Sequence, residues 1–268
     1  MRTEEVTETG LMQRIALLYK GREDTLIASC LQGIMGSAWA VFEEDGQESK
    51  AVSALISVGD FLFPAGRPQK ELTERMKGCM KSGFALAVPK TAGWGELIEE
   101  QFPGRFLRQT RYAMGKKGDG FDTGRLKRFA GQLPAGFSLR PVNREWFERL
   151  KGEEWSKDFV SQFSDYGQYS RFGGGFLAVE EKTGEAVSGA SSYTVYRGGL
   201  EIEVDTKESC RRLGLARACS ARLILDCLKR GLYPSWDAAN EVSLHLAETL
   251  GYRCLRPYPI LYLTKEER

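Results

Sequence analysis

The chain has 268 residues, with 38 Lys and Arg against 36 Asp and Glu, for a formal net charge of +2. That length supplies a sizeable core in one or two domains, and the near-neutral charge excludes a general polyanion-binding surface while leaving room for a local basic patch. No apolar run approaches the ~20 residues that span a bilayer, and the N-terminal stretch MRTEEVTETG is acidic, without the apolar segment of a secretory signal. The expectation is a cytoplasmic protein with no membrane partner. Six cysteines (Cys30, Cys79, Cys210, Cys219, Cys227, Cys254) form no C-x-x-C pair, and His245 is the single histidine. This pattern predicts reduced, mostly buried thiols rather than a zinc site, and no metal.

In chain order, LMQRIALLYKG reads as a helix ending at Gly21. Strand-like text follows in SAWAVFEED and KAVSALISVGDFLFPAG, with a hairpin expected around Gly46. A helix near QKELTERMKGCMKSG, a short strand FALAVP, a helix WGELIEEQF and a strand RFLRQTRYAMG complete a first half. Residues 116–136 read as a linker in which glycines bracket a short basic helix over Thr123 to Ala130. The expected division is an α/β domain over 1–118, a linker over 119–135 and a second domain over 136–268.

The second half has a sharper rhythm. FSLRPV is a strand, NREWFERL a helix, and EEWSKDFVSQFSDYGQYSRF a polar, aromatic helix or loop. Three strands then form a meander from 174 to 206, turning at Lys182–Gly184 and at Gly198–Gly199. A long helix from about Arg212 to Arg230, closed by Gly231, leads to a strand YPSWDA, a helix EVSLHLAETLG and two short strands ending at Leu263. The fold class is mixed α/β. Strands 200–206 and 233–238 are expected to be parallel and joined by a right-handed crossover through the long helix. Ligands of such sheets bind off the carboxyl ends of the strands, where the connection leaves the sheet.

The stretch Arg211-Arg212-Leu213-Gly214-Leu215-Ala216 falls at that place. The first turn of a helix offers free N–H donors and the positive end of its dipole. Gly214 and Ala216 leave that backbone open to a ligand, and two arginines add charge where a helix start would otherwise disfavour cations. The chemistry points to a diphosphate site. Neither a Walker loop nor a Rossmann G-x-G-x-x-G occurs.

RRLGLA resembles the R/Q-x-x-G-x-G/A signature of the GNAT superfamily of acyl-CoA N-acyltransferases, and the order strand, loop, signature, helix, strand is similar to that family from Phe137 to Leu263. NEVSLHLAETLGY resembles the family's asparagine-containing helix. EIEVDT and GLYPSWDAAN resemble a bacterial GNAT group with an extra N-terminal half. The resemblance implies that main-chain groups from Arg211 to Ala216 hold the diphosphate of acetyl-CoA. It implies that Asn240, with Ser243 beside it, contacts the pantetheine arm between the two parallel strands. Main-chain groups near Glu203 and Val204 would pair with that arm and face the thioester carbonyl.

Acyl transfer to an amine needs a base to keep the amine neutral, a donor to the thioester oxygen and an exit for the thiolate. Glu201 and Glu203 alternate with Ile202 and Val204, so both carboxylates share one face of a central strand. Each is a candidate base or a rim carboxylate paired with a neighbour such as Arg222. Asp237 is a rival base or a helix cap. The family's usual acid, a tyrosine seven residues after the asparagine, is replaced here by Ala247. Ser243, Tyr252 and Tyr258 are the substitutes available, and unaided departure of the thiolate is the other route. His245 reads as a surface residue.

Trp155, Phe159, Phe163, Tyr166, Tyr169 and Phe172 recur at helical spacing, as core packing or as an acceptor-side wall. WGELIEEQFPGRFLRQTRYAMG echoes SLHLAETLGYRCLRPYPILYL, so the first half is either a degenerate GNAT-like repeat or an unrelated α/β cap. The function expected is N-acetyl transfer from acetyl-CoA to an amine-bearing small molecule or protein, with an acyl-CoA-binding sensor as the alternative. Interleaved acids argue against a nucleic-acid partner. The oligomeric state stays open, a homodimer included.

Overall fold

The computed structural model describes residues 2–21, 24–45, 48–116 and 120–265. The expected hairpin at Gly46 and the expected boundary at 118 and 119 lie outside the described residues. Two compact units are present: Met1–Arg111 with Tyr258–Arg268, and Tyr112–Pro257. The chain-order division would instead have placed residues 258–268 in the second domain and 112–118 in the first.

In the first unit, the strands Arg2–Glu5, Ser37–Asp45, Glu48–Val58 and Phe61–Gly66 lie side by side, each antiparallel to the next. The helix Lys70–Cys79 then leads to Phe84–Ala87, which runs parallel to Phe61–Gly66. Leu261–Thr264, near the end of the strand Tyr252–Thr264, adds to the far edge of Phe84–Ala87. Apolar faces of the sheet and of the helices Lys70–Cys79 and Ala92–Gln101 meet in a core of Leu55, Leu62, Met76, Trp94, Ile98 and Phe102. Trp94 is fully buried, and its indole N–H donates to the Gly66 carbonyl at 3.0 Å, satisfying its one polar group.

The second unit repeats this order. Phe137–Pro141, Gly175–Glu180, Glu185–Tyr196 and Gly199–Thr206 form an antiparallel succession. The helix Leu215–Lys229 leads to Tyr233–Ser235, parallel to Gly199–Thr206 as expected. A second helix, Glu241–Leu250, follows. Asp237–Ala238 pairs with Tyr112 and Ala113 from the strand Phe106–Lys116. In each half, therefore, four antiparallel strands, a crossover helix, a parallel strand, a second helix and a long strand occur in the same sequence.

Several elements depart from expectation. The strand Arg2–Glu5 and the helix Thr25–Leu31 were not foreseen. The first, RTEE, has no apolar alternation, and the second is a seven-residue helix whose start is fixed by Asp24 accepting from the Leu26 and Ile27 N–H groups. The aromatic stretch is a single 3-10 turn, Lys157–Phe159, followed by the helix Tyr166–Phe172 capped by Asp165, so its spacing does not belong to one helix. Phe159, Phe163 and Tyr169 are buried in the second unit's core, Trp155 and Tyr166 are half-buried, and Phe172 is exposed. The basic helix appears as Thr123–Gly131, but it is no free tether: Leu126 is 1% exposed, and the Phe129 ring carries the Arg217 guanidinium from Leu215–Lys229. Among the described residues, no helix is long and apolar enough to cross a membrane.

Candidate acyl-CoA site

The site begins where two parallel strands part. Gly199, Leu200 and Glu201 pair with Tyr233, Pro234 and Ser235, and the pairing stops there. Trp236 interrupts the second strand, and Asp237–Ala238 departs to a different neighbour. The indole of Trp236 is buried, donates to Ser243 Oγ at 3.1 Å and packs 5.6 Å from the Tyr252 ring. That anchor turns the chain away, and at the same level the register shift at Glu201/Ile202 leaves Tyr193 as a bulge in the neighbouring strand Glu185–Tyr196. Beyond Glu201, Gly199–Thr206 keeps a strand partner on one side only among the described residues. Val204 lies on this part.

The register keeps Glu201 and Glu203 on one face, opposite Thr194 and Ser191 respectively. Glu201 is 6% exposed, flanked by Thr194 on one side and Ser235 on the other, whose Oγ shares a 2.9 Å hydrogen bond with the Tyr196 hydroxyl. Burial raises the Tyr196 pKa, so the hydroxyl keeps its proton. Glu203, two residues further on, is half-buried. Arg222, a candidate partner for these carboxylates, instead lies over the Phe176 ring at 5.1 Å.

At the end of the strand, a 3-10 turn, Glu208–Cys210, leads into Arg211 and Arg212. Arg212 has φ of 65°, the left-handed region, and Gly214 follows with φ of 81° as the N-cap of Leu215–Lys229. The sequence placed the helix start at Arg212; the left-handed turn delays it to Leu215. Changes of backbone hand of this kind turn successive N–H groups inward and make an anion-binding concavity. The N–H groups of Arg212, Leu213 and Gly214 donate to no acceptor among the described residues. The helix start has no side-chain cap and no acidic residue in its first turn, so donors, dipole and charge all favour an anion. Arg211, Arg212 and Leu213 are exposed, Gly214 and Ala216 half-buried, and Leu215 is buried as the anchor of the first turn. These residues fit a diphosphate.

Asn240 is the N-cap of Glu241–Leu250, its Oδ1 accepting from the Ser243 N–H at 3.0 Å. Asp237 therefore serves no helix as a cap; it stands in the short strand that leaves the sheet. Ser243 is held by Trp236 and Asn240 together. Tyr252 is buried and donates to the Pro234 carbonyl at 2.7 Å; burial drives its pKa well above the ordinary value, so its proton belongs to the framework. Tyr258 belongs to the first unit. Ala247 is fully buried, and His245 is exposed with Nδ1 2.8 Å from the Glu241 carbonyl. The Cys219 and Cys227 thiols are buried and pushed up to about 12 by desolvation, which leaves them unreactive at neutral pH.

Comparison with known proteins gives a consistent answer. A family model described as GNAT acetyltransferase matches residues 16–261. A GCN5-related N-acetyltransferase-like protein from Streptococcus suis 89/1591, known from its crystal structure, is 40% identical, with 96% of this chain and 100% of that chain aligned at a TM-score of 0.86. The uncharacterized N-acetyltransferase YdfB of Bacillus subtilis (strain 168) is 29% identical over 133 residues, which is 49% of this chain and 50% of that protein. The match thus spans about half the length of that relative. A tandem GNAT protein from the clavulanic acid biosynthesis pathway is similar in fold over the whole of both chains, at a TM-score of 0.55 and 12% identity. The chain belongs to the GNAT acetyltransferase family. The repeated order of elements in its two halves agrees with a tandem GNAT fold.

Proposed function

We propose that this protein transfers an acetyl group from acetyl-CoA to an amine acceptor by direct attack of the amine on the thioester. The observation that carries the reading is the turn from Arg211 to Ala216, with open N–H donors, beside strands that part after Glu201 and Ser235. In this reading, main-chain donors from Arg212 onward and the first turn of Leu215–Lys229 hold the diphosphate. The unpaired side of the strand past Glu201, near Glu203 and Val204, receives the pantetheine arm and polarises the carbonyl oxygen, with Asn240 and Ser243 on the opposite wall. Glu203 is the base that takes the proton lost by the amine, directly or through water, because it is more accessible than Glu201. Asp237 is the reserve candidate. The thiolate leaves as the C–N bond forms, and solvent protonates it. The acceptor is an amine on a small molecule or a protein side chain.

Ala247 favours a second reading, an acyl-CoA-binding sensor with little turnover, since a fully buried alanine offers no proton where the family's tyrosine would stand. Calorimetric titration with acetyl-CoA tests both readings. Gly214→Glu places a side chain on a left-handed residue and a carboxylate in the anion turn. The expected loss is several kcal/mol, about a hundredfold or more in affinity. Binding by the wild type, lost in the variant, supports the site; an amine screen with thiol detection then separates enzyme from sensor. A wild type that does not bind overturns both.

A further inference from the structure

Helix Thr123–Gly131 belongs to neither the signature turn nor the diverging strands, yet it reaches the turn. The Phe129 ring has the Arg217 guanidinium 4.7 Å and the Arg125 guanidinium 5.3 Å from its centre. Arg217 lies in the first turn of Leu215–Lys229, and its Nη2 is 3.4 Å from the point where a Cβ on Gly214 would stand. Its Nε is buried with no hydrogen-bond partner, so the stack on Phe129 is what fixes the guanidinium. Neither Arg125 nor Arg217 makes an ion pair among the described residues. Two guanidiniums on one ring, one of them in the same first turn that follows the exposed Arg211 and Arg212, repel one another. The nearby Asp122 carboxylate caps the helix by accepting from the Arg125 N–H and, among the described residues, forms no ion pair with either. A ligand bearing several negative charges relieves that repulsion.

We propose that Phe129 is a positioning residue for the coenzyme site: it holds Arg217, with Arg125 beside it, at the edge of the Arg211–Ala216 turn as a cationic clamp on the phosphates of acetyl-CoA. The proposal rests on the reading of that turn as the diphosphate site. It makes a helix that reads as a linker part of the binding machinery.

The test is calorimetric titration of acetyl-CoA at two salt concentrations with wild type, Phe129→Leu and Phe129→Trp. Leucine keeps an apolar side chain beside Leu126 but removes the π face; tryptophan keeps the face. The leucine variant is expected to bind roughly three- to tenfold more weakly and with a shallower salt dependence. The tryptophan variant should stay within about twofold of wild type. A leucine variant that binds like wild type with the same salt dependence overturns the clamp, as does a tryptophan variant as weak as the leucine one. Should Phe129→Leu fail to fold, Arg217→Gln carries the same test on an intact ring: a loss of about tenfold supports the clamp, and unchanged affinity overturns it. If wild type itself does not bind acetyl-CoA, the diphosphate reading falls first; if it binds and only these variants are silent, the clamp alone is wrong.

Discussion

The two halves of the chain carry the same succession of elements and treat the connection after the fourth strand in opposite ways. In the first half, Phe61–Gly66 passes to Lys70–Cys79 through Arg67, Pro68 and Gln69 alone. The Arg67 N–H is already bonded to the Val52 carbonyl at 2.9 Å, Pro68 has none to offer, and Glu71 places a carboxylate in the first helical turn. A Cβ on Gly66 would stand 2.3 Å from the Val52 carbonyl oxygen, so the chain there is pressed onto its own sheet. In the second half the connection is longer, changes hand at Arg212 and Gly214, and carries no acidic residue into the helix.

The strands themselves differ as well. FLFPAG has no titratable side chain and pairs with its neighbour without a break, whereas EIEVD has three carboxylates and a register shift in their midst. One topology thus carries a short, closed connection in one place and a longer turn with open N–H donors in the other. The lesson is that what distinguishes the proposed site is some eight residues of connection and a bulge, and that the fold only supplies their position.

Three experiments sharpen or break this contrast. The largest effect is expected from Trp94→Ala in the first half, which empties a fully buried indole site and costs about 3–5 kcal/mol of stability. Thermal unfolding measures it, and acetyl-CoA affinity of the still-folded protein should not change. A tenfold fall in affinity would show that the first half takes part in coenzyme binding. Next, Glu203→Gln should lower turnover roughly a hundredfold with an acceptor from the amine screen while leaving acetyl-CoA affinity intact. Unchanged turnover would move the role to Glu201 or Asp237.

The smallest effect compares the two N-caps that follow the parallel strands. Thr91 accepts from the Trp94 N–H and Asn240 from the Ser243 N–H. Alanine at either position should cost about 1 kcal/mol of stability. Only Asn240→Ala should also weaken acetyl-CoA binding. Equal affinity in both variants would reduce Asn240 to a cap.

The Arg211–Ala216 turn is legible in the sequence as a candidate because its chemistry is local: two arginines, a glycine and a small residue at a helix start suit an anion without any distant partner. Sequence reading found the meander, the long helix and the parallel strand through periodicity and turn residues. It did not find the strand Arg2–Glu5, which is a strand only because Ser37–Asp45 offers it a ladder. Nor could it find that Glu201 is buried between Thr194 and Ser235 while Glu203 is more open, since that distinction depends on where a parallel partner stops pairing.

By itself, then, the sequence carried most of the succession of elements, the Arg211–Ala216 turn as a candidate anion site and the shared face of Glu201 and Glu203, because each follows from neighbours a few positions apart. Only tertiary structure decided three things: that Tyr252 is locked to Pro234, that Leu261–Thr264 completes the first unit, and that Phe129 stands under Arg217. Each joins residues far apart in the chain. No local pattern encodes such a contact; it exists only once both surfaces have been folded and brought together.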